Sequence, residues 1–140
     1  FEGLCGLLRE GVRAVREYAP GAEVMLHVAL GGQAEESQRF FDAMNEYGVE
    51  YDIIGQSYYP EWHGTLEELE ANTNALVLKY NKPLIVVEYR DHYLDIERIV
   101  SSLPNGLGRG TFIWEATSPQ WGKLFDESGA TTEAIRAYNR

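Results

Sequence analysis

The chain has 140 residues, with 22 acidic side chains against 12 basic ones and a formal charge of −10. That balance repels phosphate backbones and argues against nucleic-acid binding, while a neutral ligand such as a sugar stays compatible with it. An apolar fraction of 44% and an aromatic fraction of 12% describe one globular domain with a real core. No apolar run approaches the roughly 20 residues of a membrane span. Cys5 is alone, so neither an internal disulfide nor a cysteine-based zinc site can form.

In chain order, residues 1–18 place Leu4, Leu7, Leu8, Val12 and Val15 at amphipathic-helix spacing, ended by Pro20-Gly21. "EVMLHVAL", 23–30, reads as a strand. Residues 34–47 return to helical spacing through Phe40, Phe41 and Met44 and stop at Gly48. "YDIIGQSYY", 51–59, is a second strand closed by Pro60. Thr65 opens "TLEEL", a capping box in which Thr65 and Glu68 satisfy each other's free amides, and the helix runs to about Tyr80. A third strand, 83–89, precedes a helix through Ile96, Ile99, Val100 and Leu103, which ends at Pro104-Asn105-Gly106. "GTFIWEA", 110–116, is the fourth strand, and 132–138 the last helix.

Strands beginning near 23, 52, 83 and 110 lie roughly 29, 31 and 27 residues apart, the size of a βα unit with its crossover. Such spacing implies an α/β fold with a parallel sheet. A small doubly wound sheet and half of a (βα)8 barrel both fit. If Met25 and His27, Ile54 and Gln56, Val86 and Glu88, and Phe112 and Trp114 share a face, that face turns polar and aromatic toward the strand ends. The inside of a barrel does so near its active site, which favours the partial barrel.

The strands then end on His27, Tyr58-Tyr59, Glu88 and Trp114-Glu115, and the following loops add Gln33, Trp62-His63 and Trp121. In a parallel barrel these collect at one face. Each also has a plain structural role open to it. His27 can be a satisfied core histidine, Tyr58 and Tyr59 packing residues, and the loop tryptophans rim packing. Glu115 is expected to point away from the face of Glu88 and tie down a loop. Glu88 stands out: it ends the buried run "PLIVV", where a carboxylate needs a partner, solvent or a task. A salt bridge to Arg90 or a contact with a helix terminus is the alternative. Arg90, Asp91 and His92 begin the next loop and are assigned no catalytic part.

The stretch "DIIGQSYYPEWHGTLEELEANTNALVLKYNKPLIVVEY" resembles the arabinogalactan endo-β-1,4-galactanases of glycoside hydrolase family 53, as do "AVREYAPGAEVMLHVALGG" upstream and "SLPNGLGRGTFIWEA" downstream. The resemblance implies a (βα)8 barrel of which residues 1–140 form the C-terminal half, strands five to eight. It implies retaining hydrolysis of a neutral polysaccharide, β-1,4-galactan, without a cofactor or metal, outside the cell or in the periplasm. Glu88 matches the nucleophile, His27 the histidine ending strand five, Tyr58 or Tyr59 the tyrosine that orients the nucleophile, and Trp114 the aromatic under the sugar. Trp62 and His63 fall in the loop bordering the cleft.

Retaining chemistry needs two carboxyl groups about 5–5.5 Å apart. The family's acid/base lies before Phe1, and Glu2 and Glu10, both on a helix, cannot replace it. The N-terminal half of the barrel is therefore the expected partner, and this chain alone is expected to be inactive. "GGQ" stands where many members carry an acid, and "EYRDH" replaces a threonine-led loop. A carbohydrate-binding or scaffold module, or a hydrolase acting on another β-glycan, are the competing readings.

Overall fold

Strand and helix alternate along the chain in the computed structural model, which describes residues 1–138. Helix α1 (Glu2–Tyr18) leads to β1 (Met25–Val28), α2 (Ala34–Glu46), β2 (Ile53–Ser57), a single turn α3 (Pro60–His63) and α4 (Leu66–Tyr80). Strand β3 (Leu84–Glu88), α5 (Tyr93–Ser101) and β4 (Gly108–Thr111) follow, and the last helix, Glu133–Tyr138, is of the 3₁₀ kind. The capping box is formed: Glu68 N–H donates to Thr65 Oγ1 at 3.2 Å, and Thr65 N–H to Glu68 Oε2 at 2.7 Å. Turn α3 escapes periodicity because it is too short to show any. Pro60 starts it, with a fixed φ and no amide to leave unpaired.

The four strands form one parallel sheet in the order β1-β2-β3-β4. Their helices pack beside one another, α2 on α4 and α4 on α5, over one face. That arrangement is the wall of a barrel and excludes the doubly wound alternative, which needs helices on both faces. Leu26, Ile54 and Leu84 stand in register and are buried under the helices, together with Gln56 and Val86. Met25 and His27 point the other way, in register with Ile53 and Gly55. The face expected from the sequence is thus offset by one residue: Ile54, Gln56 and Val86 belong to the helix side.

Glu88 nonetheless reaches the open side through a β-bulge. Gln56 pairs with Val86 but Ser57 pairs with Glu88, so Val87 is an extra residue and the alternation restarts after it. Strand β4 is shorter than expected and ends at Thr111. Phe112 and Trp114 still donate to the carbonyls of Val86 and Tyr89, at 2.9 and 2.8 Å. Glu115 then takes a left-handed φ of 45°, which no strand can accommodate.

Two buried contacts set the upper rim. Asn72, fully buried on α4, donates to the carbonyls of Gly31 and Leu30 at 2.7 and 3.2 Å and to Ser37 Oγ at 3.1 Å. Gly31 N–H in turn donates to Ser57 O at 3.0 Å, seating the loop after β1 on the end of β2. At the lower rim Gly108 lies so close to α5 that a Cβ there would meet Val100 O at 1.7 Å. Gly108→Ala is expected to lower stability by more than about 2 kcal/mol, since backbone cannot move aside cheaply. Gly3→Ala on α1, where a Cβ meets nothing within 4 Å, is expected to raise it by about 0.5–1 kcal/mol. Urea denaturation of the two variants measures both.

Candidate active site

The end of β2 and the end of β3 meet at one carboxylate. Glu88 Oε1 accepts from the Tyr59 hydroxyl at 2.8 Å, and Oε2 accepts from Ser57 Oγ at 3.3 Å. His27 at the end of β1 brings Nε2 to 2.6 Å from Ser57 Oγ and to 4.0 Å from Glu88 Oε2. The backbone closes the same corner, with Tyr58 N–H donating to Glu88 O at 2.8 Å. Burial, first, and the hydrogen bond to and charge of Glu88 push the Tyr59 phenol well above its ordinary value, so it keeps its proton and remains a donor.

Around the carboxylate lies a cleft of about 350 Å³, walled by Tyr59, Trp62, Arg90, Trp114, Glu115 and Trp121. Trp62, Trp114 and Trp121 are 65%, 45% and 43% exposed. Three half-exposed indoles around one acid form an apolar, ligand-ready surface of the kind soluble proteins otherwise cover. Tyr59 packs edge-on against Trp62 with centroids 5.6 Å apart. The Arg90 guanidinium lies 5.3 Å from the Trp121 ring centre and 5.9 Å from that of Tyr59. It pairs with Glu61 and, at 3.4 Å, with Asp91. Arg90 is therefore neutralised by acids other than Glu88, and the salt-bridge alternative for Glu88 is not what the structure holds. Glu115 also departs from expectation. It lines the same cleft, because the left-handed turn at that residue redirects the chain.

Of the residues read from the sequence, Glu88, Tyr59, Trp62 and Trp114 line the cleft and His27 reaches it through Ser57. Tyr58 and His63, expected at the substrate cleft, are buried instead, at 1% and 7% exposure. The Tyr58 hydroxyl donates to Gly64 O at 3.0 Å, and His63 Nδ1 accepts from Tyr59 N–H at 3.0 Å. Both brace the α3 turn that carries Trp62. Gln33 does the same from the loop after β1, donating to Trp62 O at 3.0 Å. Ser57 is not singled out by the sequence, and Arg90 is read there only as a salt-bridge partner for Glu88 or a loop residue, whereas it lines the cleft. The signal for Ser57 would have been its place two residues before Tyr59 on the open face, visible only once the bulge in β3 is known.

A larger cavity of about 860 Å³ lies between Phe1 and α2, but Asp42 in its wall is already held by Lys79 and Tyr80. No comparable carboxylate among aromatics occurs there. Among the described residues no group of three or more His, Cys, Asp or Glu side chains is placed to hold a metal ion. No helix among them is long and apolar enough to cross a membrane.

Comparison with known proteins gives this geometry a setting. Residues 1–97 match the model of glycosyl hydrolase family 53, to which the chain belongs. A protein of Niallia circulans, described as an uncharacterized protein in the bgaB 5' region, is 34% identical over 154 aligned residues, covering 86% of this chain and 41% of that one. The endo-beta-1,4-galactanase of Bacillus subtilis (strain 168) is 36% identical over 85 residues, 61% of this chain and 20% of its own length. The arabinogalactan endo-beta-1,4-galactanase of Cellvibrio japonicus (strain Ueda107) is 40% identical over 88 residues, 59% of this chain and 23% of its own. The chain thus spans less than half the length of these relatives.

Among solved structures, the Ignisphaera aggregans GH53 catalytic domain superposes with a TM-score of 0.85 at 23% identity, over 96% of this chain and 51% of that one. A fungal β-1,4-galactanase gives 0.85 at 18% identity, over 97% and 54%. These likenesses establish the fold: the four βα units form part of a (βα)8 barrel.

His63 offers a check on the brace beneath the cleft. Burial, the largest influence, depresses its pKa below the ordinary 6.5, so the folded state favours the neutral ring whose Nδ1 accepts from Tyr59. Below about pH 6.5 the unfolded chain binds more protons than the folded one, and stability falls as pH drops toward the folded value; above it the contribution is complete. His63→Gln is expected to flatten the dependence of Tm on pH between about pH 7 and about pH 5, measured by thermal unfolding across that range.

Proposed function

We propose that this chain is the C-terminal half of the catalytic domain of a retaining endo-hydrolase of β-1,4-galactan, with Glu88 as the nucleophile. The observation that carries the reading is the Glu88 carboxylate itself. It stands on a strand end, is held at both oxygens by neutral hydroxyls, and faces a cleft rimmed by three tryptophans. Neutral donors orient a carboxylate without the tight pairing that a cation would impose. Family membership and the galactanase activities for which the Bacillus and Cellvibrio relatives are named support the substrate class.

In this mechanism a Glu88 oxygen bonds to the anomeric carbon as the glycosidic C–O bond breaks. The departing oxygen takes a proton from a second carboxyl group, which this reading assigns to the strand preceding α1, in the N-terminal half of the barrel. Tyr59 holds the carboxylate, while Trp114 and Trp62 offer indole faces to the C–H faces of a pyranose. Such stacking selects a ring without charge, in keeping with a neutral polymer and an acidic protein. Residues 1–140 by themselves lack the acid and are inactive in this reading, since general acid catalysis is worth about 10²–10⁴-fold. Action on a polymeric substrate goes with export to the periplasm or the medium.

The test is expression of the full-length protein that carries this chain, assayed on galactan, mannan and xylan beside residues 1–140 alone. Hydrolysis of galactan by the full-length protein, with retention at the anomeric carbon by NMR and none by the short chain, is the expected result. Preference for mannan or xylan transfers the reading to another β-glycan, and equal activity of the short chain overturns the missing acid. Glu88→Gln is expected to lower kcat by more than about 10⁴-fold. Tyr59→Phe, which removes one charge-assisted hydrogen bond, is expected to lower it about 10–100-fold.

A further inference from the structure

Ser57 is 2% exposed, and its hydroxyl touches two groups at once, His27 Nε2 at 2.6 Å and Glu88 Oε2 at 3.3 Å. It has a single proton to give. An ionised carboxylate only accepts, so Ser57 must donate to Glu88; the reverse arrangement sets a lone pair of Oγ against a negative oxygen. His27 Nε2 must then carry a hydrogen and donate to Ser57. The chain of donors runs one way, from His27 to Ser57 to Glu88.

The two oxygens of Glu88 are held unequally. Oε1 takes a 2.8 Å bond from Tyr59, whereas the 3.3 Å bond from Ser57 leaves Oε2 the freer of the two. Oε2 is therefore the oxygen more available for attack. A long hydrogen bond to a nucleophile hinders attack only slightly. In the second half-reaction a water oxygen bonds to the anomeric carbon and the bond from that carbon to Oε2 breaks. Its electron pair returns to the carboxylate, and the proton of the water goes to the general base in the other half of the barrel. Negative charge then grows on Oε2 while a donor is already aimed at it, and charge-assisted hydrogen bonds are the strong ones.

We propose that Ser57, with its proton directed by His27, is a positioning residue that assists departure of the Glu88 carboxylate from the glycosyl-enzyme and so sets the rate of the second step. This rests on Glu88 as nucleophile. It also gives His27 a task aimed at the nucleophile's oxygen.

The experiment uses the full-length protein with 2,4-dinitrophenyl β-galactobioside, whose activated leaving group needs little acid catalysis. Ser57→Ala is expected to show a pre-steady-state burst, with kcat lowered about tenfold, KM lowered in proportion and kcat/KM nearly unchanged. Ser57→Thr, which keeps a hydroxyl, restores kcat. A purely structural role would lower kcat/KM as well and would leave Thr no better than Ala; that pattern overturns the proposal. A second measurement needs no variant. Two-bond ¹H–¹⁵N spectra of the wild-type imidazoles are expected to show His27 with hydrogen on Nε2, and a neutral ring with a bare Nε2 overturns the donor chain. Labelling by a 2-deoxy-2-fluoro-galactosyl fluoride separates the two levels. If Glu88 is labelled but the split between kcat and KM is absent, only the role of Ser57 falls; if Glu88 is never labelled, the nucleophile reading falls with it.

Discussion

One extra residue in β3 decides where the carboxylate of this protein goes. Val86 is buried against the helices, and strict alternation would return Glu88 to that side, where an unpaired charge is costly. The bulge at Val87 restarts the alternation and sets Glu88 opposite Ser57 on the open face. Tyr89, the next residue, then enters the core with no exposure. A β-bulge at the end of a strand, re-aiming one side chain, is a common way of building a site on a rigid sheet.

The loops around that corner are organised to leave Glu88 with neutral partners. Arg90 is its near neighbour in sequence, yet the guanidinium turns to Glu61 and Asp91 and lies against the rings of Trp121 and Tyr59. Lys123 also reaches Asp91, at 3.7 Å. These exposed pairs add little stability in water. Their effect is positional, because they join the α3 turn, the loop after β3 and the segment carrying Trp121 into one rim. Beneath the rim, the buried residues Tyr58, His63 and Asn72 use hydrogen bonds to hold the same loops from below.

The chain makes different use of its two sheet faces. Leu26, Ile54, Leu84 and Val86 are closed over by helices and belong to one hydrophobic core with Leu69, Leu76, Ile96 and Ile99. On the other face Met25 and Phe112 remain 37% and 62% exposed, on the side that closes on itself in a (βα)8 barrel. An ion pair at 2.6 Å joins Arg109 on β4 to Glu23 before β1, linking the two edges of the sheet.

Much of this was legible in the residues. Periodicity located every long helix and all four strands, because burial on one face imposes a repeat of 3.6 or 2 on any chain that folds this way. The run "PLIVVE" marked Glu88 as a misfit needing an explanation, and the motif around Tyr59 tied it to a family. Local patterns could not show an unpaired residue in a parallel ladder, since a bulge is defined by the neighbouring strand. The face shared by His27, Ser57 and Glu88, the choice of Tyr59 over Tyr58, the inward turn of Glu115 and the stacking of Arg90 all depend on contacts between segments about 25 to 35 residues apart. Composition and spacing determined that this chain builds βα units ending in polar and aromatic side chains. Only the packed sheet decided which of those side chains meet, because register between strands is a property of the pair and not of either sequence.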